Sequence, residues 1–191
     1  MRFHRPLPLK KELKIHSKKF LVSKTDSKGK ILYTNDNFAE ITGYSQTEVM
    51  GAPHNILRHP DMPSAIFFLM WQRIQNGQNI TALVKNLAKS GEFYWVSTDF
   101  EIQKDAHSNN TNYIAFRRSV TPKAVAQIEP LYKTLLSIEK SHGKEASLIH
   151  LQGYLDEKHL TFDEYMDSIV KPKGIMAMIF NKMKNSFIKS A

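Results

Sequence analysis

The chain has no cysteine among its 191 residues. This absence excludes disulfides, thiolate metal sites, cysteine nucleophiles and cysteinyl cofactor adducts, and it suits a reducing cytoplasm. The chain also has no apolar run of 18 residues and no signal-peptide stretch, so the sequence predicts no membrane-spanning helix. Glycine-rich phosphate loops and nucleophile–base pairs are missing too, and we therefore expect a protein that is not an enzyme.

Acidic residues are scarce at both ends of the chain. Residues 1–30 carry ten Lys/Arg and two Asp/Glu, and residues 171–191 carry five Lys and no acid. A DNA-binding domain more often concentrates basic residues on its folded face, so we expect no nucleic-acid partner. Basic ends suit an anionic membrane surface or an acidic partner, and they suit solvated tails equally well.

Five segments have the composition of β-strands, and helical segments separate the first two from the last three. FLVSKT (20–25) and ILYTN (31–35) flank a tight turn, and ITALVKNLA (80–88) and EFYWVSTDFEIQ (92–103) flank the turn KSGE. The fifth segment is YIAFRRSV (113–120). We predict an α+β fold, a five-stranded antiparallel sheet with short helices on one face, followed by a helical C-terminal extension.

The sequence divides into four parts. We predict a basic segment or helix at residues 1–19, a globular domain at 20–121, an amphipathic linker helix at 122–140 and a helical extension at 141–191. A membrane, the domain itself and a partner helix are all suitable surfaces for the basic amphipathic last helix, GIMAMIFNKMKNSFIK. We favour packing on the domain or docking on a partner, because methionine-rich stripes suit adaptable protein contacts.

The stretch HNILRHPDMP (54–63) holds Arg58, His59 and Asp61 between prolines. Locally, this pattern is typical of a helix end, a stiff turn and the start of a longer helix near Pro63. Asp61 stands where an N-cap carboxylate is expected, and the start of a helix also attracts anions. The arginine suits a phosphate group, because its planar fork makes two hydrogen bonds and keeps its charge.

Three residues outside this stretch have both an ordinary structural explanation and a functional one. Trp71 fits the core face of an amphipathic helix, and it would equally supply an aromatic wall for a flat ligand. Asn86 fits an edge strand that faces water, and its amide would also pair with the edge of a ring. Asn35 ends a strand, where an Asx turn explains it. The residues alone leave these alternatives open.

Six stretches of the sequence together form a specific pattern. They are TNDNFAEITGY (34–44), GAPHNILRHPDMP (51–63), FFLMW (67–71), VKN (84–86), G-x-x-YWV (91–96) and EPLYK (129–133). In these stretches the chain resembles the flavin-binding PAS domains of bacterial aerotaxis (energy-taxis) transducers. The resemblance covers residues 20–135, and the order of strands and helices is that of PAS domains. Two positions depart from the family, which often has arginine where this chain has Leu87 and glycine where it has Ala82.

The resemblance implies an FAD-binding redox or oxygen sensor for energy taxis. It implies a stand-alone PAS subunit that signals, through a partner docked on the outer face of its sheet, to a membrane-bound chemotaxis transducer or another signalling protein. We expect a cytoplasmic protein held near the inner face of the membrane by that partner. A homodimer and a peripheral membrane contact of the basic ends stay open. The cofactor-binding residues that the resemblance implies are Asn35, Arg58, His59, Asp61, Phe67, Trp71 and Asn86.

Two alternatives to a flavin sensor remain. In the first, the domain is a cofactor-free module for dimerisation or docking in another pathway. In the second, it binds haem through a helix histidine. Residues 63–76 contain no histidine, which argues against haem. His54 and His59 are five residues apart and the chain has no thiolate, so we expect no metal site.

Overall fold

The computed structural model describes residues 5–104, 111–170 and 175–190 and is centred on one antiparallel sheet. Each of its five strands overlaps a segment with strand composition, so the predicted α+β fold with a five-stranded antiparallel sheet is confirmed. The strands are β1 (Phe20–Thr25), β2 (Ile31–Thr34), β3 (Ile80–Leu87), β4 (Phe93–Lys104) and β5 (Thr111–Ser119). Their spatial order is β2-β1-β5-β4-β3.

Four short helical segments connect β2 to β3 and pack on one face of the sheet, which we call the inner face. Ser45 begins the second with a capping box: its hydroxyl accepts a hydrogen bond from the Glu48 N–H, and the Glu48 carboxylate accepts one from the Ser45 N–H. The longest begins directly after Pro63, as the sequence predicts. The segments are α1 (Asp36–Thr42), α2 (Gln46–Val49), a 3₁₀ turn (His54–Leu57) and α3 (Ser64–Gln75).

Successive residues of β5 face opposite sides of the sheet. Tyr113, Ala115 and Arg117 point to the inner face, where they line a cavity. Ile114 and Phe116 point to the opposite face, which we call the outer face, and join a separate apolar cluster there. The central strand therefore contributes to both sides of the molecule.

Three helices follow the sheet: α4 (Pro122–Glu157), α5 (Phe162–Val170) and α6 (Ile175–Ser190). The sequence predicts a helix over residues 122–140 followed by further helices, and α4 is two helices that meet in a kink at Gly143, whose φ of 85° and ψ of 174° are not helical. Glycine adopts this left-handed φ without a Cβ clash, and after the kink the Ser147 hydroxyl reaches the Leu135 carbonyl oxygen at 3.1 Å. Leu151 and Leu155 keep the second half buried against the rest of the chain.

The first described residues, 5–19, are extended and contain no helix. The motif RPLPL places two prolines here, and proline disfavours a helix at its own and the preceding position. The Leu9 N–H donates to the Gly91 carbonyl oxygen at 2.7 Å. A Cβ on Gly91 would lie 2.4 Å from the Leu7 carbonyl oxygen, so only glycine permits this close approach. Two further backbone hydrogen bonds join Phe93 to Lys11 and Leu13.

Helix α6 covers the outer face of the sheet. The Phe180 ring is 3% exposed and lies 5.4 Å from the Phe20 ring, and the Phe187 ring lies 5.6 Å from the Phe116 ring. Of the three surfaces considered for the last helix, the described residues of α6 thus contact the domain itself. No helix in the described part of the chain is long and apolar enough to cross a membrane.

Arg118 connects β5 to the C-terminal helices. Its side chain points to the outer face, opposite to that of Arg117. The guanidinium donates to the Val170 carbonyl oxygen at 2.7 Å and lies 5.3 Å from the centre of the Phe180 ring. One arginine of β5 therefore holds the end of α5 and the ring of α6 that packs on the sheet.

Candidate functional site

A cavity of about 480 Å³ lies between α3 and the inner face of the sheet. Three cationic residues line it, Lys28, Arg58 and Arg117, and no aspartate or glutamate of the described residues does. The volume and the mixture of apolar walls with a few polar groups are typical of small-molecule sites. The cavity therefore suits a largely apolar ligand that carries negative charge.

Aromatic side chains form one wall of the cavity. Helix α3 directs Trp71 toward the turn between β1 and β2, where Gly29 leaves room for the indole. A Cβ on Gly29 would lie 2.8 Å from two atoms of that ring. Tyr113 meets the indole edge to face, with ring centroids 5.8 Å apart, and Phe67 lines the cavity one helical turn before Trp71. These rings are suited to contact a flat apolar ligand.

Two buried polar groups in the cavity make no hydrogen bond of normal geometry with the described residues. They are the amide nitrogen of Asn86 on β3, which lies near the Tyr94 hydroxyl, and the hydroxyl of Thr98 on β4. An unsatisfied buried group of this kind costs about 1–3 kcal/mol. Both groups are therefore available to a ligand, and a side-chain amide suits the hydrogen-bonding edge of a ring.

Arg117 is 2% exposed and has no carboxylate partner in the part of the chain that the structure describes. Its guanidinium donates to Ser23 Oγ at 2.9 Å, to the Ala115 carbonyl oxygen at 3.3 Å and to His54 Nε2 at 2.8 Å. Burial lowers the pKa of Arg117 to about 10, so the group stays charged at neutral pH. A buried cation without an anion is unfavourable, and a negative charge in the cavity would relieve it.

His54 is neutral and holds Arg117 in place. Burial, and then the charge of Arg117, keep the pKa of His54 well below 6.5. Because a guanidinium only donates, His54 Nε2 must accept, and the ring proton lies on Nδ1. Ser23 Oγ lies 3.2 Å from the same Nε2 atom. The Nε2 atom of His54 therefore already contacts two protein groups, Arg117 and Ser23.

Sequence reasoning missed Ser23 and Arg117 and considered His54 only as a metal ligand. One signal for Arg117 was present in YIAFRRSV, because two arginines in a strand must point to opposite faces. Both phases of this strand are apolar, so the sequence indicates a buried arginine but does not say which of the two lines the cavity. The contacts of His54 and Ser23 join parts of the chain that are 31 residues apart, and no local pattern indicates them.

Four of the seven residues that the resemblance implies line the cavity: Arg58, Phe67, Trp71 and Asn86. Asn35 does not, because its side chain connects β1 to the start of α1. Its Oδ1 accepts hydrogen bonds from the Val22 N–H at 3.0 Å and the Phe38 N–H at 3.1 Å, and its Nδ2 donates to the Phe20 carbonyl oxygen at 2.8 Å. This is the capping role that the Asx explanation predicts.

His59 and Asp61 are also absent from the cavity lining and stabilise the turn before α3. His59 Nδ1 accepts from the Asp61 N–H at 3.1 Å, and the Asp61 carboxylate accepts from Lys85 Nζ at 2.7 Å. Burial and the nearby Lys85 lower the pKa of His59 to about 4, although Asp61 opposes them. Burial raises the pKa of Asp61, but the hydrogen bond and charge of Lys85, together with the charges of His59 and Lys140, outweigh burial and hold this pKa below its usual value.

Glu139 of α4 occupies the N-terminus of α3. Its two carboxylate oxygens accept from the Ser64 N–H at 2.8 Å and the Ala65 N–H at 2.6 Å. The sequence predicts Asp61 as the N-cap and the helix start as an anion site, but Glu139 supplies the anion from a remote helix. Asp61 pairs with Lys85 instead because β3 places that lysine beside it. These helix N–H groups are therefore not free for a ligand.

Comparison with known proteins identifies the domain that contains the cavity. Residues 31–117 match the sequence model of the PAS fold family. The chain is 36% identical over 135 residues to the aerotaxis receptor of Escherichia coli (strain K12), a match that covers 71% of this chain and 26% of that protein. It is 30% identical over 105 residues to the bacterioopsin transcriptional activator of Halobacterium salinarum, covering 55% and 16%.

Among solved structures, the PAS domain of a Colwellia psychrerythraea protein matches with a TM-score of 0.48 and 22% identity, over 53% of this chain and 86% of that chain. The chain spans about a quarter of the aerotaxis receptor and less of the bacterioopsin activator. The part of the aerotaxis receptor that this chain matches supports a PAS domain of the aerotaxis type. Residues 31–117 of this chain are a PAS domain and belong to the PAS fold family.

Proposed function

We propose that this chain is a redox sensor of the energy-taxis type that binds FAD in the cavity between α3 and the sheet. One observation carries the proposal: the cavity combines an aromatic wall, the unsatisfied Asn86 amide and the buried cation Arg117 without any acidic residue. A flavin has a flat apolar ring for the aromatic wall, an amide-like ring edge for the Asn86 amide, and a ring system that becomes more negative when it takes up electrons, which suits the buried cation. The likeness to the aerotaxis receptor supports it further.

Different residues of the cavity would contact different parts of the ligand. Trp71 and Phe67 offer apolar faces, Asn86 offers a hydrogen bond to a ring edge, and Arg117 fixes a positive charge at the inner end. When bound, a flavin supplies reversible electron uptake, which changes its charge and hydrogen bonding. In a cavity of low dielectric, such a change acts strongly on a fixed cation. Arg117 is thus the residue whose electrostatic energy depends most directly on the redox state of the ligand.

The hydrogen bonds of Arg117 connect the cavity to two strands. Ser23 belongs to β1 and Ala115 to β5. A displacement of the Arg117 guanidinium therefore changes hydrogen bonds at the centre of the sheet. A shift of two or three such bonds, each worth about 1 kcal/mol net, is enough to bias two conformations. We infer that the chain signals by contact with a separate chemotaxis transducer at the cytoplasmic face of the membrane. Because α6 covers the outer face of the sheet, a partner that docks there must displace it.

The absorption spectrum of the purified 191-residue chain tests the proposal. We expect a flavin spectrum, or flavin uptake on reconstitution, and its loss in Trp71→Ala and Asn86→Ala. The matched control is Trp95→Ala, because Trp95 is also buried in the domain but stacks on Tyr132 outside the cavity. A colourless wild-type chain that takes up no flavin would refute the proposal.

Haem is the second candidate because His54 lines the cavity. Its Nε2 is engaged by Arg117 and Ser23, so iron ligation through this atom would break two observed contacts. The same spectrum separates the two cofactors. If haem is bound, His54→Ala abolishes the absorption, whereas a flavin spectrum persists in that variant.

A further inference from the structure

A further arginine stands beside the outer end of the cavity. Arg5 donates through Nη2 to the Asn55 carbonyl oxygen at 2.9 Å, and Asn55 lines the cavity together with Arg58. Burial lowers the pKa of Arg58, Glu139 opposes this shift, and Arg5 adds to it. Two guanidinium groups are therefore close enough to repel each other at the same end of the cavity.

The fold fixes the position of Arg5. Residues 5–13, which we call the N-terminal arm, are anchored to the turn between β3 and β4 by backbone hydrogen bonds that begin at Leu9. The Leu7 carbonyl lies against Gly91 at a distance that excludes any other residue there. The two prolines of the RPLPL motif restrict the backbone between this anchor and Arg5. The arginine is thus held near the cavity by the chain that follows it.

The positive charge at this end of the cavity is not balanced. Arg5, Lys28 and Arg58 form no ion pair with any carboxylate of the described residues. Glu139 is the acid whose charge acts on Arg58, but both of its oxygens are bound to the N-terminus of α3. Like charges held together without an acid are unfavourable, and an anion with several oxygens would reverse the sign of that interaction.

We propose that Arg5 and Arg58 bind the diphosphate of a flavin dinucleotide, so that the N-terminal arm selects FAD over flavins that lack this group. The inference rests on the proposed function, since it requires the flavin ring in the cavity. Arg58 lies over the Phe67 ring, 4.7 Å from its centroid, and Arg5 is exposed beside Asn55, so these two guanidinium groups stand between the aromatic wall and solvent, where the phosphates of such a ligand would leave the cavity. Two planar forks suit the paired phosphates, because each makes two charge-assisted hydrogen bonds.

Titration of the flavin-free 191-residue chain with FAD and with riboflavin tests this assignment. We expect Arg5→Ala to weaken FAD binding about tenfold, the effect of one lost charge-assisted contact, and to leave riboflavin binding within about twofold. Arg5→Lys should recover part of the FAD affinity, because it keeps the charge and loses the fork. The matched control is Lys10→Ala, which removes an exposed cation from the same arm.

The outcomes separate this inference from the flavin proposal. An unchanged FAD affinity in Arg5→Ala, an equal loss for both ligands, or an equal loss in Lys10→Ala overturns the role of Arg5 while the flavin proposal stands. A wild-type chain that binds neither ligand overturns the flavin proposal and the role of Arg5 with it. Circular dichroism of each variant verifies that the fold is kept, which we expect because Arg5 is exposed.

Discussion

Among single side chains, Arg117 is the one whose energy depends most on what occupies the cavity. Replacing it with methionine, an apolar side chain of similar length, removes a buried charge. We expect the flavin-free Arg117→Met chain to keep or gain free energy of unfolding, because the replacement removes a buried charge that has no anionic partner among the described residues. Its flavin affinity should fall at least about tenfold. Urea denaturation and flavin titration measure the two effects, and parallel losses in both would contradict a ligand-directed charge.

His59 should make the stability of the domain depend on pH. Its pKa is about 4 in the folded chain and about 6.5 when unfolded, so the unfolded state binds more protons between these values. Stability is therefore complete above about pH 6.5 and falls as the pH drops toward 4, by up to about 1.4 kcal/mol per pH unit for this group. His54, whose pKa is also lowered, acts in the same direction.

The urea midpoint measured between pH 4 and 7.5 checks the role of His59. We expect His59→Gln to flatten the decline on the acidic side. The exposed His150 on α4 provides the comparison, and His150→Gln should follow the wild-type curve. A curve for His59→Gln as steep as that of wild type would argue against this assignment.

The sequence predicts the position and contacts of some of these side chains but not of others. Trp71 and Asn86 line the cavity because the helical stripe and the strand register, both local patterns, fix their direction. Asn35 caps α1 as an ordinary Asx residue would, which local reasoning also allows. Asp61 departs from its predicted N-cap role because Lys85, 24 residues away, is its partner. Contacts between remote segments are what a single sequence does not reveal.

Helices α3 and α4 are joined by one carboxylate, so Glu139 should contribute measurably to stability. We expect Glu139→Gln to lower the free energy of unfolding by about 1–2 kcal/mol, because it removes a charge that accepts two N–H groups at a helix N-terminus. The control is Glu129→Gln on the same helix, where an exposed pair with Lys133 should be worth less than about 0.5 kcal/mol. Equal losses in the two variants would mean that the cap adds nothing specific.

Strands were predicted more completely than the helices around them. The alternating β-branched and aromatic residues between turn signals place all five strands to within two residues at each end. Gly143 ends the first half of α4 close to the predicted position, but the kink that brings Ser147 back to Leu135 is a contact between separate segments that no local pattern indicates. The N-terminal arm is extended because Gly91, on a distant turn, accepts its backbone. Burial and long-range pairing decide these cases, and neither is a local property.

For the molecule as a whole, the apolar outer face of the sheet predicts that α6 prevents self-association by covering it. A chain ending at Val170 would expose Phe20, Ile114 and Phe116, an apolar patch of the kind that mediates association. We expect the truncated chain to self-associate more strongly than the full chain at equal concentration, measured by analytical ultracentrifugation. A synthetic peptide of residues 175–190 should reverse the effect. A truncated chain that sediments like the full chain would show that α6 shields no adhesive surface.

Arg117 and Arg118 are consecutive in β5, and this adjacency has a thermodynamic consequence. One guanidinium is bound inside the cavity and the next holds the carbonyl end of α5 and the Phe180 ring. A rotation of the peptide unit between them moves both groups at once. Binding at the two sites is then reciprocal: if a ligand weakens the docking of α6 by some factor, removal of α6 must tighten the binding of that ligand by the same factor. A partner that captures α6 would therefore change the cofactor affinity of the chain without touching the cavity.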